Sequence, residues 1–163
     1  MEDLARATGR TKSSVYHHVR GKEELLRLAV ARALDALFAV TEEPGATTGR
    51  AIDRLEHVVR GSVRVLAAEL PFVTLLLRVR GNSPVEEAAL ARRREFDRVV
   101  TDLVRAAEEE GDVRPDVDPA VTSRLLFGTV NSLTDWYRPD GRLSAAELAD
   151  AVVATAFSGL RTL

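Results

Sequence analysis

The chain has 163 residues, 45% of them hydrophobic and 29% charged, with a formal net charge of −2. That balance suits a folded soluble protein and is too apolar for a disordered one. Cysteine is absent, which excludes a disulfide framework, thiol catalysis and cysteine-ligated zinc.

In chain order, a short helix carrying Leu4, Ala5 and Ala7 is expected to stop at Gly9, and a second to run from about Lys12 to His18. A longer amphipathic helix begins near Lys22, with Leu25, Leu26, Ala29, Ala33, Leu37 and Phe38 on one face, and Pro44-Gly45 terminates it. Thr47 or Thr48 can cap the next helix, whose inner stripe is Ile52, Leu55, Val59, Ser62, Val63, Leu66 and Leu70. Pro71 ends that helix and allows a short one from about Phe72 to Arg78. Ser83, Pro84 and Glu86 then announce a long central helix through Val85, Ala89, Phe96, Val99, Val100, Leu103 and Val104, stopped by Gly111. Asp118-Pro119 opens a helix through Leu125, Leu126 and Leu133 to about Tyr137. Ser144 and Glu147 form a second capping box for the last helix, with Leu143 and Leu148 spaced as a hydrophobic staple. The expectation is an all-α chain of about eight helices, divided into a helix-turn-helix part over 1–21 and a helical regulatory and dimerisation domain over 22–163.

Charge is distributed unevenly. Up to residue 22, Arg6, Arg10, Lys12, Arg20 and Lys22 face only Glu2 and Asp3, leaving a basic head on an acidic body. Such a head fits a polyanion, since neutralising phosphates needs local positive charge. Thr11, Lys12, Ser13, Ser14, Tyr16, His17 and His18 give the second short helix a polar face, and Val15 and Val19 anchor its back. A helix that reads the major groove needs that division.

The order Leu4-Ala5-Arg6-Ala7, Gly9, Lys12, Ser14, Tyr16-His17-His18, then Lys22-Glu23-Glu24-Leu25-Leu26, resembles the DNA-binding signature of the tetracycline-repressor (TetR) family of bacterial regulators. Gly111 to Asp116 resembles the element that follows the family's central helix. Trp136 to Ser144 is similar to the turn before the last helix in a subgroup that includes acyl-CoA sensors. The resemblance implies a dimeric, ligand-responsive regulator, a repressor, on double-stranded palindromic operator DNA. Lys12, Ser13, Ser14 and His17 would reach bases, and Tyr16, His18 and Lys22 would contact phosphates. Val19 stands where the family usually has phenylalanine, and Arg10-Thr11 where an apolar residue and serine are common. The family's first helix has no counterpart ahead of Met1, so the chain as written is expected to bind DNA poorly or not at all. The alternative is a regulator-like body that dimerises or binds a small ligand without DNA.

For the body, the resemblance implies dimerisation through the last two helices. Leu125, Gly128 and Ser132 on the first, with Ala149, Val152, Val153, Ala156, Phe157 and Leu160 on the second, combine small and apolar residues suited to an interface or to packing within one subunit. A ligand pocket is expected among Phe72, Leu76, Arg92, Phe96, Phe127, Asn131 and Trp136. Arg92, four before Phe96, would there meet a carboxylate or phosphate; it could equally pair with a glutamate or reach the surface. The proposed effector is a small molecule, an acyl-CoA among the candidates.

Nothing names a catalytic constellation, a cofactor or a metal. His17 and His18 are adjacent on a helix and diverge by about 100°, and His57 lies on a polar face. Glu108-Glu109-Glu110 reads as a solvated helix end rather than an acid/base pair. No apolar run approaches the roughly 20 residues of a membrane span and no signal-peptide layout is present, so the expected location is cytoplasmic.

Overall fold

The computed structural model describes residues 21–160, an all-α arrangement of seven helices. They are α1 (Gly21–Glu42), α2 (Pro44–Thr47), α3 (Ala51–Ala68), α4 (Leu70–Arg78), α5 (Pro84–Glu109), α6 (Pro119–Trp136) and α7 (Ala145–Leu160). The two short helices expected before Lys22 lie outside the described residues.

α5 is the longest helix, but α3 is the one at the centre. Its buried set, Ala51, Ile52, Leu55, Val58, Val59, Gly61, Ser62, Val63 and Leu66, goes around more than one face. It therefore meets α1, α5, α6 and α7 at once. The expected inner stripe had captured only part of that set. Fully buried Leu34, Leu55, Leu66, Val100, Val104 and Leu148 show one continuous core linking α1, α3, α5 and α7.

The helix ends follow local chemistry, with instructive departures. Pro44 does not merely end α1: it occupies the first turn of the four-residue α2, whose Ala46 is buried. Thr47 and Thr48 do not cap α3. Their hydroxyls donate back to the carbonyls of Glu43 and Pro44 at 3.2 and 2.8 Å. The N-terminus of α3 is satisfied from another helix end, where Glu110 Oε2 accepts the Ala51 N–H at 2.9 Å. Arg50 adds an ion pair with Asp112 at 2.8 Å. Part of the acidic run expected to be merely solvated thus stabilises a helix N-terminus. α3 stops at Ala68, before Pro71, and Leu70 opens α4 instead of closing α3.

At α5 the Ser83 hydroxyl accepts the Glu86 N–H at 3.3 Å. Glu86 reaches past Ser83: its Oε2 accepts the N–H groups of Arg80, Gly81 and Asn82 at 2.7, 2.9 and 3.2 Å. Those bonds hold its carboxyl below the usual glutamate value. Asp118 caps α6 through the N–H groups of Ala120 and Val121. Ser144 and Glu147 close the expected reciprocal box on α7. The staple beside it stays open, since Leu148 is buried while Leu143 remains 43% exposed. Between α5 and α6, Gly111 turns at φ +82° and Val113 is buried. The Arg114 N–H donates to Leu160 O at 3.0 Å, tying that loop to the end of α7.

Candidate functional site

α1 starts at Gly21, with Lys22 exposed in its first turn, and runs along the body, fastened at two points. Arg32 pairs with Glu69 through Nε and Nη2 at 2.7 and 3.1 Å and lies 4.6 Å over the Phe72 ring. Asp35 pairs with Arg92 at 2.9 Å, and Arg92 stacks 5.2 Å over Phe38. Both pairs are substantially exposed, so they set position more than they add stability.

Behind those fastenings, Leu34 and Leu37 of α1 help to wall a small cavity of about 50 Å³. Leu66 of α3, Val73, Leu76 and Leu77 of α4, Phe96 of α5, and Phe127 and Val130 of α6 complete its apolar lining. Phe96 stands edge-on to both Phe38 and Phe127, with ring centroids 5.7 and 5.3 Å apart. These T-shaped contacts fix the aromatic wall.

Four polar residues interrupt that wall: Ser62, Arg93, Asp97 and Asn131. Ser62 is 1% exposed and its hydroxyl has no hydrogen-bond partner. Arg93 and Asn131 are half-buried, and Arg93 Nη1 donates to Leu76 O at a long 3.5 Å. Asp97 keeps access to solvent, yet desolvation by its neighbours raises its carboxyl above the usual range, against the pull of Arg93 and Arg124.

That shift has a definite sign. A carboxyl with a raised value in the native state binds its proton more readily there than when unfolded. Its ionisation therefore weakens the fold as pH rises through the window between the unfolded and folded values. Asp97→Asn is expected to be more stable than the parent at pH 7, by less than about 1 kcal/mol because solvent screens the site. Urea unfolding should show the difference shrinking as pH falls toward 3, and a variant less stable than the parent at pH 7 would contradict this account.

Of the expected pocket residues, the structure brings Leu76, Phe96, Phe127 and Asn131 together at this cavity. Phe72 is buried beneath Arg32 and does not line it. Arg92 is on the surface, bound to Asp35, because its neighbour Arg93 is the arginine turned to the cavity. Trp136 is 53% exposed and stands away from it. Arg93, Asp97 and Ser62 were missed as pocket residues. The signal for the first two was the i, i+4 spacing beside Phe96, and Ser62 had read only as a small residue of the inner stripe.

The outward faces of α6 and α7 separate the expected interface residues into two groups. Leu125, Gly128 and Ser132 are exposed, and with Val121 and Trp136 they form one stripe along α6. On α7, Ala149, Val152, Val153 and Phe157 are buried in the subunit's own core, while Ala156 and Leu160 are half-buried. The face of α7 left to solvent is Ala151, Ala154, Thr155, Ser158 and Gly159. The α7 residues first assigned to an interface are therefore mostly core, because α7's apolar stripe is taken up by α3.

Of the DNA-contact set, Lys22 is exposed in the first turn of α1. Lys12, Ser13, Ser14, Tyr16, His17 and His18 lie outside the described residues. His57 is not alone, since its Nε2 meets Glu43 Oε2 at 2.6 Å. Among the described residues no cluster of histidine and carboxylate groups is placed to hold a metal, and no helix is long and apolar enough to cross a membrane.

Comparison with known proteins agrees with this architecture. Residues 48–160 match the family described as "Tetracyclin repressor-like, C-terminal domain". A TetR-family regulator from Streptomyces coelicolor A3 is 55% identical, with 99% of this chain and 82% of that one covered at a TM-score of 0.85. The HTH-type transcriptional repressor KstR2 of Mycobacterium tuberculosis is 25% identical over 98% of this chain and 82% of its own length. Its structure, that of a ketosteroid transcriptional regulator, superposes with a TM-score of 0.83 over 99% of this chain and 84% of that one. AibR in complex with isovaleryl coenzyme A and operator DNA shares the fold at 24% identity and a TM-score of 0.77, over 95% of this chain and 85% of that one. The Streptomyces protein and KstR2 are regulators of transcription, and the chain belongs to the tetracycline-repressor-like family.

Proposed function

We propose that this chain is a ligand-responsive repressor that binds a palindromic operator as a dimer, with its effector in the cavity behind α1. The carrying observation is that α1 does two things at once. It begins at Gly21 and Lys22, directly after the segment that resembles a recognition helix, and it supplies Leu34 and Leu37 to the cavity wall. An effector that changes the packing of those leucines acts on the helix that carries the head, and so on the spacing of two heads along the duplex.

Lys12, Ser13, Ser14 and His17 are proposed as base contacts, and Tyr16, His18 and Lys22 as phosphate contacts. An acyl-CoA is the proposed effector class, on the resemblance of Trp136 to Ser144 to the acyl-CoA-sensing subgroup and on an apolar cavity with polar groups toward solvent. AibR, a protein of the same fold, is one that takes such a ligand.

Fluorescence anisotropy on the DNA upstream of the chain's own gene, titrated with salt, tests the head. In a form that carries the family's first helix, Lys22→Ala is expected to weaken binding similarly on all sequences and to lower the slope of log affinity against log salt by about one unit. A variant with the parent's slope would remove Lys22 from the phosphate contacts. A chain that never saturates the fragment at any salt would favour the body that acts without DNA. Thermal shifts against CoA thioesters of graded chain length test the effector, and no shift with any of them would reject that class.

A further inference from the structure

We propose that Ser62 is the hydrogen-bond donor at the inner end of the cavity, and that it selects a short, compact group carrying one uncharged carbonyl oxygen. The proposal rests on the reading of this cavity as the effector site and goes beyond it by naming the group recognised and the residue that recognises it.

The hydroxyl is the anomaly. A serine inside a helix ordinarily returns its hydrogen bond to a carbonyl three or four residues back. Thr101, Thr129 and Ser158 do so here. Ser62 does not, although it is 1% exposed and has no water-facing alternative. A buried hydroxyl left unpaired is costly unless something else satisfies it. It lines the cavity together with apolar side chains that include Leu34, Leu66 and Val130.

The polar groups are graded in depth. Ser62 is sealed inside, Asn131 and Arg93 are half-buried, and Asp97 reaches solvent. A ligand that fills the cavity thus meets one hydroxyl donor among hydrocarbon at its inner end and charged groups only near the mouth. A carboxylate carried inward would give up its hydration for a single neutral donor, which does not compensate an ion. A carbonyl oxygen needs one donor and loses little. The volume limits the chain, since about 50 Å³ offers room for about four water-sized centres. That suits a compact group of roughly four to six heavy atoms and excludes a long acyl chain or a fused ring system unless the helices separate.

Three isosteric probes separate the possibilities: 3-methylbutan-2-one, 2,3-dimethylbutane and 2-methylpropanoate, each applied at millimolar concentration to the full chain. Binding is read by ligand-observed NMR, with contacts to the Phe96 and Phe127 ring protons placing the probe. The ketone is expected to bind best and the carboxylate not at all. Ser62→Ala is expected to weaken the ketone by threefold to about tenfold, leave the hydrocarbon unchanged or tighter, and raise the melting temperature of the empty protein by about 2–4 °C. Thr122→Val serves as the control. Among the described residues Thr122 carries the other buried hydroxyl without a partner, but it faces a separate groove between α6 and α7, so ketone binding should not change. A further arm uses the N-acetylcysteamine thioester of 2-methylpropanoic acid, which shares the carbonyl. Tighter binding than the ketone identifies a thioester as the source, and weaker binding identifies a ketone.

Equal ketone affinity in the parent and in Ser62→Ala overturns the role of Ser62 while leaving the cavity as a binding site. Preferred binding of the carboxylate overturns the uncharged-group assignment. Failure of every probe to contact Phe96 and Phe127 overturns the effector site itself, and the assignment of Ser62 with it.

Discussion

Gly61→Ala is expected to destabilise the protein by about 2 kcal/mol, even though alanine is the better helix former by about 1 kcal/mol. The reason is a single close approach. A Cβ at Gly61 would stand 2.2 Å from Val40 Cγ1 and 3.0 Å from Cγ2. Val40 is buried, and a valine in a helix is held near one χ1 rotamer, so its methyl groups have nowhere to turn. α1 and α3 must part, and overpacking of this kind costs about 1–3 kcal/mol before the loosened neighbours are considered. Val40→Ala alone should also destabilise, by roughly 1–2 kcal/mol of lost burial and residual cavity. The decisive measurement is the double variant. In Gly61→Ala with Val40→Ala, the new methyl enters the space the valine vacated, so its urea midpoint should exceed that of Gly61→Ala alone. Strictly additive losses across the cycle would show that the two side chains do not compete for that space. Because Val40 lies near the far end of α1, the helix that carries Lys22 in its first turn, the single variant should also alter the response of DNA binding to effector.

The helical plan was legible in the sequence because periodicity and capping are local. Ser83, Asp118 and Ser144 with Glu147 each cap a helix within a few residues of themselves, and each does so in the structure. What one stretch of sequence could not carry was any choice that depends on a partner far along the chain. The N-terminus of α3 is satisfied by Glu110, 59 residues away, so the nearby threonines were the natural but mistaken candidates. Arg92 and Arg93 are neighbours on one helix. Which of them turns inward depends on Asp35 standing opposite the first, 57 residues earlier. The same holds for α7: a stripe of Ala149, Val152, Val153 and Phe157 reads equally well as a subunit interface or as core. Only the position of α3 beside it decides for core.

Leu125→Asp is expected to separate the proposed dimer while leaving the subunit folded. Leu125 is 65% exposed and shares the outer stripe of α6 with Val121 at 45% and Trp136 at 53%, an apolar row that the described helices leave largely open to solvent. Between them lie Gly128 and Ser132. A Cβ added at Gly128, or at Gly159 on the outward face of α7, would meet nothing within 4 Å. Glycine inside a helix costs about 1 kcal/mol relative to alanine, and packing among the described residues gives no return for it. Close approach of a second backbone would. In an isologous interface every residue is used twice, so one substitution removes two leucines from the contact and puts two carboxylates into it. If Leu125 is one of the central anchors, the loss is about 2–4 kcal/mol, which weakens association by roughly thirtyfold to a thousandfold. Sedimentation at graded concentration reads this directly, and circular dichroism with a melting curve at low concentration reports that the subunit still folds. Val153→Asp is the contrasting variant: it places a carboxylate in the core against α3, so it should unfold the subunit instead of releasing an intact one. Operator binding should fall with Leu125→Asp in proportion to the lost dimer, since a palindrome needs two heads. A Leu125→Asp protein that sediments as the parent does would move the interface away from α6 altogether.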